Sequence, residues 1–440
     1  MDTSVKFDNS QNNSFQSTPR KISAYGWYVL GLPWFISAMV AVLNFSLGVT
    51  LPSMQSEIGF STTQAGYLSS IGWFITPVLM FPMAGFANRY GVKKLFSITF
   101  IGMGIMIMIQ GFSESYMVIF IARMLALSCA VGITPALSLL KQKWVPISKI
   151  TNVNGIESLM NPVGQILAMS VIPVALSNNS NWHMVYIFLG CVILVFGILW
   201  FFTGKNEPVT PHHSGKKLPP AKSKISLFSA LRYKEIWLDC VGVMGTSVAW
   251  TAFFTFWPTY AINELNLSLT KAGLLFTALP MGSIIASIVM PVIAKKAGVE
   301  KPFIWMWGLL LPGFYYSMLV TANPILIALG AFGAGFGAFA FVPFTMSLFY
   351  KIKGMVRPEE ISVGSGMMMV FVGIGSGLGP IISSQLFQIS GNLLTALKFC
   401  CIFPLTITLF GIFLPERGRI ALENEDNKTL QDGFYDDLCY

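Results

Sequence analysis

The chain is 440 residues long, 54% hydrophobic and only 11% charged, with a formal net charge of +9. Soluble domains carry about 25% charged residues. The composition therefore excludes a soluble enzyme and points to an integral membrane protein whose partners are the lipid bilayer and a small molecule.

Residues 1–24 are polar, rich in Asn, Ser and Gln. They lack the charged-then-apolar order of a cleavable signal, so the first apolar run is expected to remain as a helix. Twelve weakly charged stretches follow, at residues 26–50, 63–85, 95–112, 116–140, 152–176, 182–203, 236–261, 272–293, 302–321, 324–349, 361–388 and 393–414. Each is long enough to cross about 30 Å of hydrocarbon at about 1.5 Å per residue. The predicted fold class is all-α integral membrane, with twelve transmembrane helices. The predicted organisation is a tail at 1–24, a first six-helix bundle at 25–204, a linker at 205–235, a second bundle at 236–415 and a tail at 416–440.

Ionisable groups inside a membrane are costly and mark function by default. The first span carries Trp34 and Asn44. The turn after the second reads GFANRYGVKK, with Gly85, Asn88, Arg89, Gly91, Lys93 and Lys94. In the fourth, Arg123 lies about 12 Å deep at about 1.5 Å per residue, as an anchor for an anionic substrate, a residue coupled to proton movement, or a structural arginine bonded to carbonyls of a neighbouring helix. Glu157 in the fifth is either a proton-exchanging carboxylate or a helix-start acid paired with a lysine such as Lys149. Asn161 and Gln165 follow it, and Gln385 supplies a further amide in the eleventh. Asp239, near the start of the seventh span, reads as a carboxylate held by the helix dipole. Lys398 reads as a rim contact or a second cavity charge.

His212 and His213 in the linker have no further ligands nearby in the sequence, and none of the six cysteines shows metal-ligand spacing, so neither a metal nor another cofactor is expected. No nucleophile-base pair or phosphate loop stands out either, so no catalytic residue is assigned. The glycine-rich runs GAFGAGFGAF and GIGSGLG lie inside apolar spans without a preceding strand, which reads as close helix packing.

Cytoplasmic loops retain Lys and Arg. Of 28 basic residues, 25 fall in the two tails, the linker, and residues 85–94, 141–149, 295–301 and 351–357. This places both termini in the cytoplasm and accounts for the net charge without nucleic acid.

An internal repeat is visible. FSTTQAGYL at 60–68 returns as LSLTKAGLL at 267–275, and the same shift of 207 carries Gly91 onto Gly298. GIESLMNP at 155–162 meets GIGSGLGP at 373–380, and Pro135 pairs with Pro343. With six spans in each half, the two repeats run parallel.

GFANRYGVKK resembles the loop after the second helix of the major facilitator superfamily, Gly-x-x-x-Asp-Arg-x-Gly followed by two basic residues. Gly85, Arg89, Gly91, Lys93 and Lys94 match, whereas Asn88 replaces the aspartate. The resemblance, of bacterial type and spanning the whole chain, implies two parallel six-helix repeats and secondary transport. It also implies a cavity lined by helices one, four, seven and ten, which brings Asn44, Arg123 and Trp250 forward with Trp34 behind them. Glycines 85 and 91 are expected to permit a tight reversal, and Asn88 to cap the third helix. The expected function is a monomeric proton-coupled carrier of a small organic anion in a bacterial inner membrane, with Arg123, Glu157, Asn44, Trp250, Trp34 and Gln165 as substrate or coupling residues. Efflux of hydrophobic or cationic compounds and a transporter-like sensor are the alternatives.

Overall fold

Serine, asparagine and glycine stop the apolar stretches where the helices begin and end. The computed structural model describes residues 22–146, 149–178, 181–206, 232–349, 352 and 358–416. Most of the linker, with His212 and His213, lies outside the described residues, as do the start of the amino-terminal tail and Cys439. The spans are α1 (Ala24–Ile58), α2 (Thr62–Tyr90), α3 (Val92–Phe112), α4 (Tyr116–Trp144), α5 (Val153–Ser177), α6 (Trp182–Thr203), α7 (Lys234–Asn263), α8 (Leu269–Ala297), α9 (Lys301–Val320), α10 (Pro324–Leu348), α11 (Pro358–Ser390) and α12 (Leu393–Gly411). All are long and apolar enough to cross a membrane, counting α2, which bends by 53° at Pro82, as one span.

The caps follow from residue chemistry. Side-chain oxygens of Ser23, Ser61, Asn181, Ser268, Asn323 and Asn392 accept backbone N–H groups at helix starts, satisfying donors that have no partner within the helix. Prolines interrupt several spans. The helical pattern breaks around residues 131–132, at 159, at 277, at 341 and at 401–404, just ahead of or at Pro135, Pro162, Pro280, Pro343 and Pro404. Proline removes a helical donor and clashes with the carbonyl four residues back. The repeat mates Pro135 and Pro343 thus break α4 and α10 alike.

Packing reproduces the repeat. Within the first half α3 packs on α4 and α6, and α1 on α5; within the second their mates do the same, α9 on α10 and α12, and α7 on α11. Between halves α1 meets α7, α2 meets α11 and α8 meets α5. Since α7, α8 and α11 are the mates of α1, α2 and α5, the last two contacts are the same contact made twice about a pseudo-twofold axis.

The GFANRYGVKK turn departs from expectation. Gly91 carries a φ of 86° between α2 and α3, and its mate Gly298 ends α8 at 73°, a region open to glycine at no steric cost. Gly85, however, lies inside α2 with open space where a side chain would stand, so it permits no close approach. Asn88 is exposed on the last turn of α2 and does not cap α3. That role falls to Asn206, whose Oδ1 accepts the Lys93 N–H at 2.7 Å. The backbone at Asn88 is already helical, which leaves its side chain one turn too early to reach the free N–H groups of α3.

Candidate substrate cavity

Arg89, Lys93, Lys94, Lys141, Lys295, Lys296 and Lys301 fall at one end of the helices, here the basic face, and Glu57, Glu114, His183 and Glu264 at the opposite face. At the opposite face the halves are joined. Thr63 donates to Gln388 at 3.1 Å, Gln385 to the Tyr67 hydroxyl at 3.2 Å, and Thr270 to Ser177 at 3.1 Å. Toward the basic face they part around a cavity of about 420 Å³. Its walls come from α1, α2, α5, α7, α8, α10 and α11, mostly from their basic-face halves. Helix α4, expected in the lining, contributes none of these residues, because α1 stands in front of it.

The lining mixes polar and apolar groups. Ser158, Asn161 and Gln165 of α5 face Thr246 and Ser247 of α7, Ser287 of α8 and Ser376 of α11. Gln165 is buried and donates to Asn161 Oδ1 at 2.7 Å, while its Oε1 and the buried Thr246 Oγ1 have no partner among the described residues. Aromatic and thioether groups make up much of the rest: Phe45, Trp73, Trp250, Phe339, Phe341, Met346, Met368 and Met369. Trp250 is fixed by Phe254 and Phe339, with ring centroids 5.0 and 5.2 Å away. None of the described lining residues is charged.

The sequence candidates divide around this site. Gln165 and Trp250 line it. Arg123 does not. Its side chain is buried behind α1, where Nη2 donates to the carbonyls of Leu43 at 3.0 Å and Asn44 at 3.3 Å. Nε and Nη1 have no partner among the described residues. Asn44 turns its amide back to the Val40 carbonyl at 3.2 Å and borders a separate 160 Å³ cavity that shares Trp73 with the main one. Glu157 forms a 2.8 Å ion pair with Lys141 of α4, not with Lys149, and accepts the Trp34 indole N–H at 3.4 Å. Lys141 and Glu157 stand together because α4 and α5 are joined by a short turn at the basic face. Gln385 belongs to the closed face. Lys398 holds its ammonium 5.6 Å from the Tyr316 ring centroid, a rim contact.

Asp239 differs most from expectation. It lies past the first turn of α7, fully buried, and neither carboxylate oxygen has a hydrogen-bond partner among the described residues. Sequence reasoning also passed over Thr246, Ser287, Trp73 and the methionines. The register of the repeat was the available signal, since Ser158 and Ser376, paired by it, both line the cavity.

Two six-helix repeats around a central cavity, packed together at one face and parted toward the other, define a membrane carrier. A model of the Major Facilitator Superfamily matches residues 34–380 and 240–431, and the chain belongs to that superfamily. It is 21% identical over 393 residues to a probable sulfoacetate transporter of Cupriavidus necator, covering 83% of this chain and 88% of the relative. It is 22% identical to a probable galactarate/D-glucarate transporter of Bacillus subtilis, covering 86% and 89%. Its fold is similar to the crystal structure of a bacterial homolog of the human lysosomal transporter Spinster in an inward-facing, unoccupied conformation, with a TM-score of 0.72, 16% identity and coverage of 89% and 95%. The protein is a secondary transporter of a small solute and not an enzyme.

Proposed function

We propose that the protein is a proton-coupled carrier of a small organic anion, working as a monomer in a bacterial inner membrane with its basic face and both termini in the cytoplasm. The conformation described is then the inward-facing one. The observation that carries the reading is the neutral lining of the cavity: amides and hydroxyls together with aromatic rings and thioethers, with no charged side chain among the described lining residues. A bare carboxylate in such a site lacks a counter-charge, and burying it unpaired is costly. Proton symport lowers that cost by moving positive charge in with the anion. The names of the two relatives, for sulfoacetate and for galactarate and glucarate, support an organic anion.

In this reading Gln165, Asn161 and Thr246 bind the polar end of the substrate, and Trp250, Trp73 and Phe339 pack its carbon skeleton. Arg123 adds a positive field from behind α1. Across about 10 Å of helix at an effective dielectric constant of about 20, that field is worth about 2 kcal/mol to a buried negative charge. Glu157, already paired with Lys141, joins α4 to α5 at the basic face, and Trp34 ties α1 to it, while the Asn44 carbonyl takes the Arg123 bond deeper in the membrane.

The aromatic and methionine wall favours a second reading, efflux of hydrophobic or cationic compounds. A thermal-shift panel of sulfoacetate, galactarate and lipophilic cations on purified protein separates the two, followed in proteoliposomes by uptake of the compound that binds and proton movement reported by a pH dye. The anion reading expects stabilisation by a carboxylate and alkalinisation outside as it enters. A shift with lipophilic cations and none with carboxylates sinks it.

A further inference from the structure

The molecule holds one feature that the cavity alone does not use. Asp239 is fully buried, and neither of its oxygens has a partner among the described residues. Its helical neighbours Ile236, Cys240 and Val243 belong to an apolar core shared with Met290, Phe344 and Met368. Along α7, positions 235, 239, 243, 246 and 250 follow the spacing of one helix face. Glu235, half-buried, starts this stripe at the basic face; Val243, Thr246 and Trp250 end it in the cavity wall. Asp239 thus sits about 6 Å of helix rise from the cavity, one turn toward the basic face.

Among the described residues no counter-charge is built for it. On its own helix the charged groups are Lys234, which is exposed, and Glu235, a like charge; Cys240 is the adjoining thiol. The described part of α11, residues 363–390, and helix α10 carry no ionisable side chain, and those of α12, Lys398, Cys400 and Cys401, lie toward its other end. Lys295 and Lys296 of α8 are exposed at the basic face. In this conformation only the neutral acid fits, because an unpaired carboxylate in an apolar core has neither water nor a donor to replace water.

We propose that Asp239 is the proton-binding site of the carrier: it takes a proton in another conformation, carries it into the one hollow toward the basic face, and releases it there through the Glu235 end of α7. This rests on the proton-coupled reading above. Loss of the proton leaves a buried charge that this conformation does not tolerate, so deprotonation drives the carrier out of it, which is the coupling a symporter requires.

The test uses the full chain in lipid without substrate. Infrared difference spectra between acid and alkaline buffer report the C=O stretch of protonated carboxyls. In parallel, a Ser287→Cys reporter in the cavity, on a background without native cysteines, is labelled by a maleimide added at the basic face. The expected result is a protonated-carboxyl band that persists at neutral pH, lost in Asp239→Asn and moved in Asp239→Glu. Labelling is expected to fall as pH rises with Asp239 present, and to stay high at all pH values in Asp239→Asn. A band unchanged in Asp239→Asn, or labelling that titrates the same way with and without the carboxyl, overturns the proposal. Failure of the proton-coupled reading is a different result: the carboxylate found by thermal shift enters proteoliposomes with no movement of protons.

Discussion

Gly66 of α2 and Ser384 of α11 lie so close that a Cβ on the glycine would overlap the serine side chain and the Pro380 carbonyl. The repeat mate Gly273 of α8 meets the Met169 carbonyl and Pro173 of α5 in the same manner. Both contacts lie between the halves, near the hydrogen bonds that close the opposite face. A leucine at either position is expected to hold that face open, since neither neighbour is the free end of a flexible side chain. Maleimide labelling from that face of a Thr255→Cys reporter, buried where α7 meets α1 at Gly48, checks this: it should rise several-fold in Gly66→Leu and in Gly273→Leu alike. Unchanged labelling with a folded protein counts against these glycines as the closing contacts.

The turn between α2 and α3 makes a second prediction. Because Asn206 supplies the acceptor for the Lys93 N–H, Asn206→Ala should cost about 1 kcal/mol, the usual value of a lost helix cap. Asn88→Ala should cost almost nothing, because its side chain is exposed and caps nothing. The melting midpoints of the two variants in detergent measure the contrast. Asn88→Asp, which the family pattern invites, adds a negative charge at the carboxyl end of α2, where the helix dipole opposes it.

Glu157 and Lys141 form their 2.8 Å pair with side chains 24% and 13% exposed. Breaking such a partly buried pair from one side leaves the other charge without its partner, so Glu157→Gln and Lys141→Gln should each destabilise by about 1–2 kcal/mol. Removing both should cost less than the sum, and a double-mutant cycle on thermal unfolding reads the coupling. Strictly additive effects would mean that the pair contributes nothing.

Most of the architecture was legible because a bilayer enforces it: every long apolar stretch had to become a helix to satisfy its own backbone, and the FSTTQAGYL repeat fixed which helices are equivalent. The site was less so. Which face of a helix meets the cavity depends on the crossing of neighbours far away in sequence, so Gln165 and Trp250 were found while Thr246 and Ser287 were not. Asp239 shows the limit most clearly. A carboxylate near a helix start has an ordinary local explanation in the dipole, and only tertiary packing reveals that its oxygens have no donors. Asn206 was invisible for the same reason, being 113 residues from the N–H it accepts.

Arg123 gives the last prediction, because its two roles separate by substitution. Its bonds to the Leu43 and Asn44 carbonyls tie α4 to α1, and hydrogen bonds from a charged donor contribute about 1.5–3 kcal/mol. Arg123→Lys and Arg123→Gln should both lower the melting midpoint, since neither reproduces the planar fork. Their effects on ligand binding should differ. Lysine keeps the positive field behind α1, so a carboxylate that stabilises the wild-type protein should bind it within about tenfold. Glutamine removes about 2 kcal/mol of field, a roughly thirtyfold weaker Kd, while affinity for an uncharged analogue of the same size changes little. Isothermal titration of both ligands against both variants decides the matter. If lysine and glutamine weaken the carboxylate equally, the guanidinium is a brace between two helices and the substrate's charge is met by other groups.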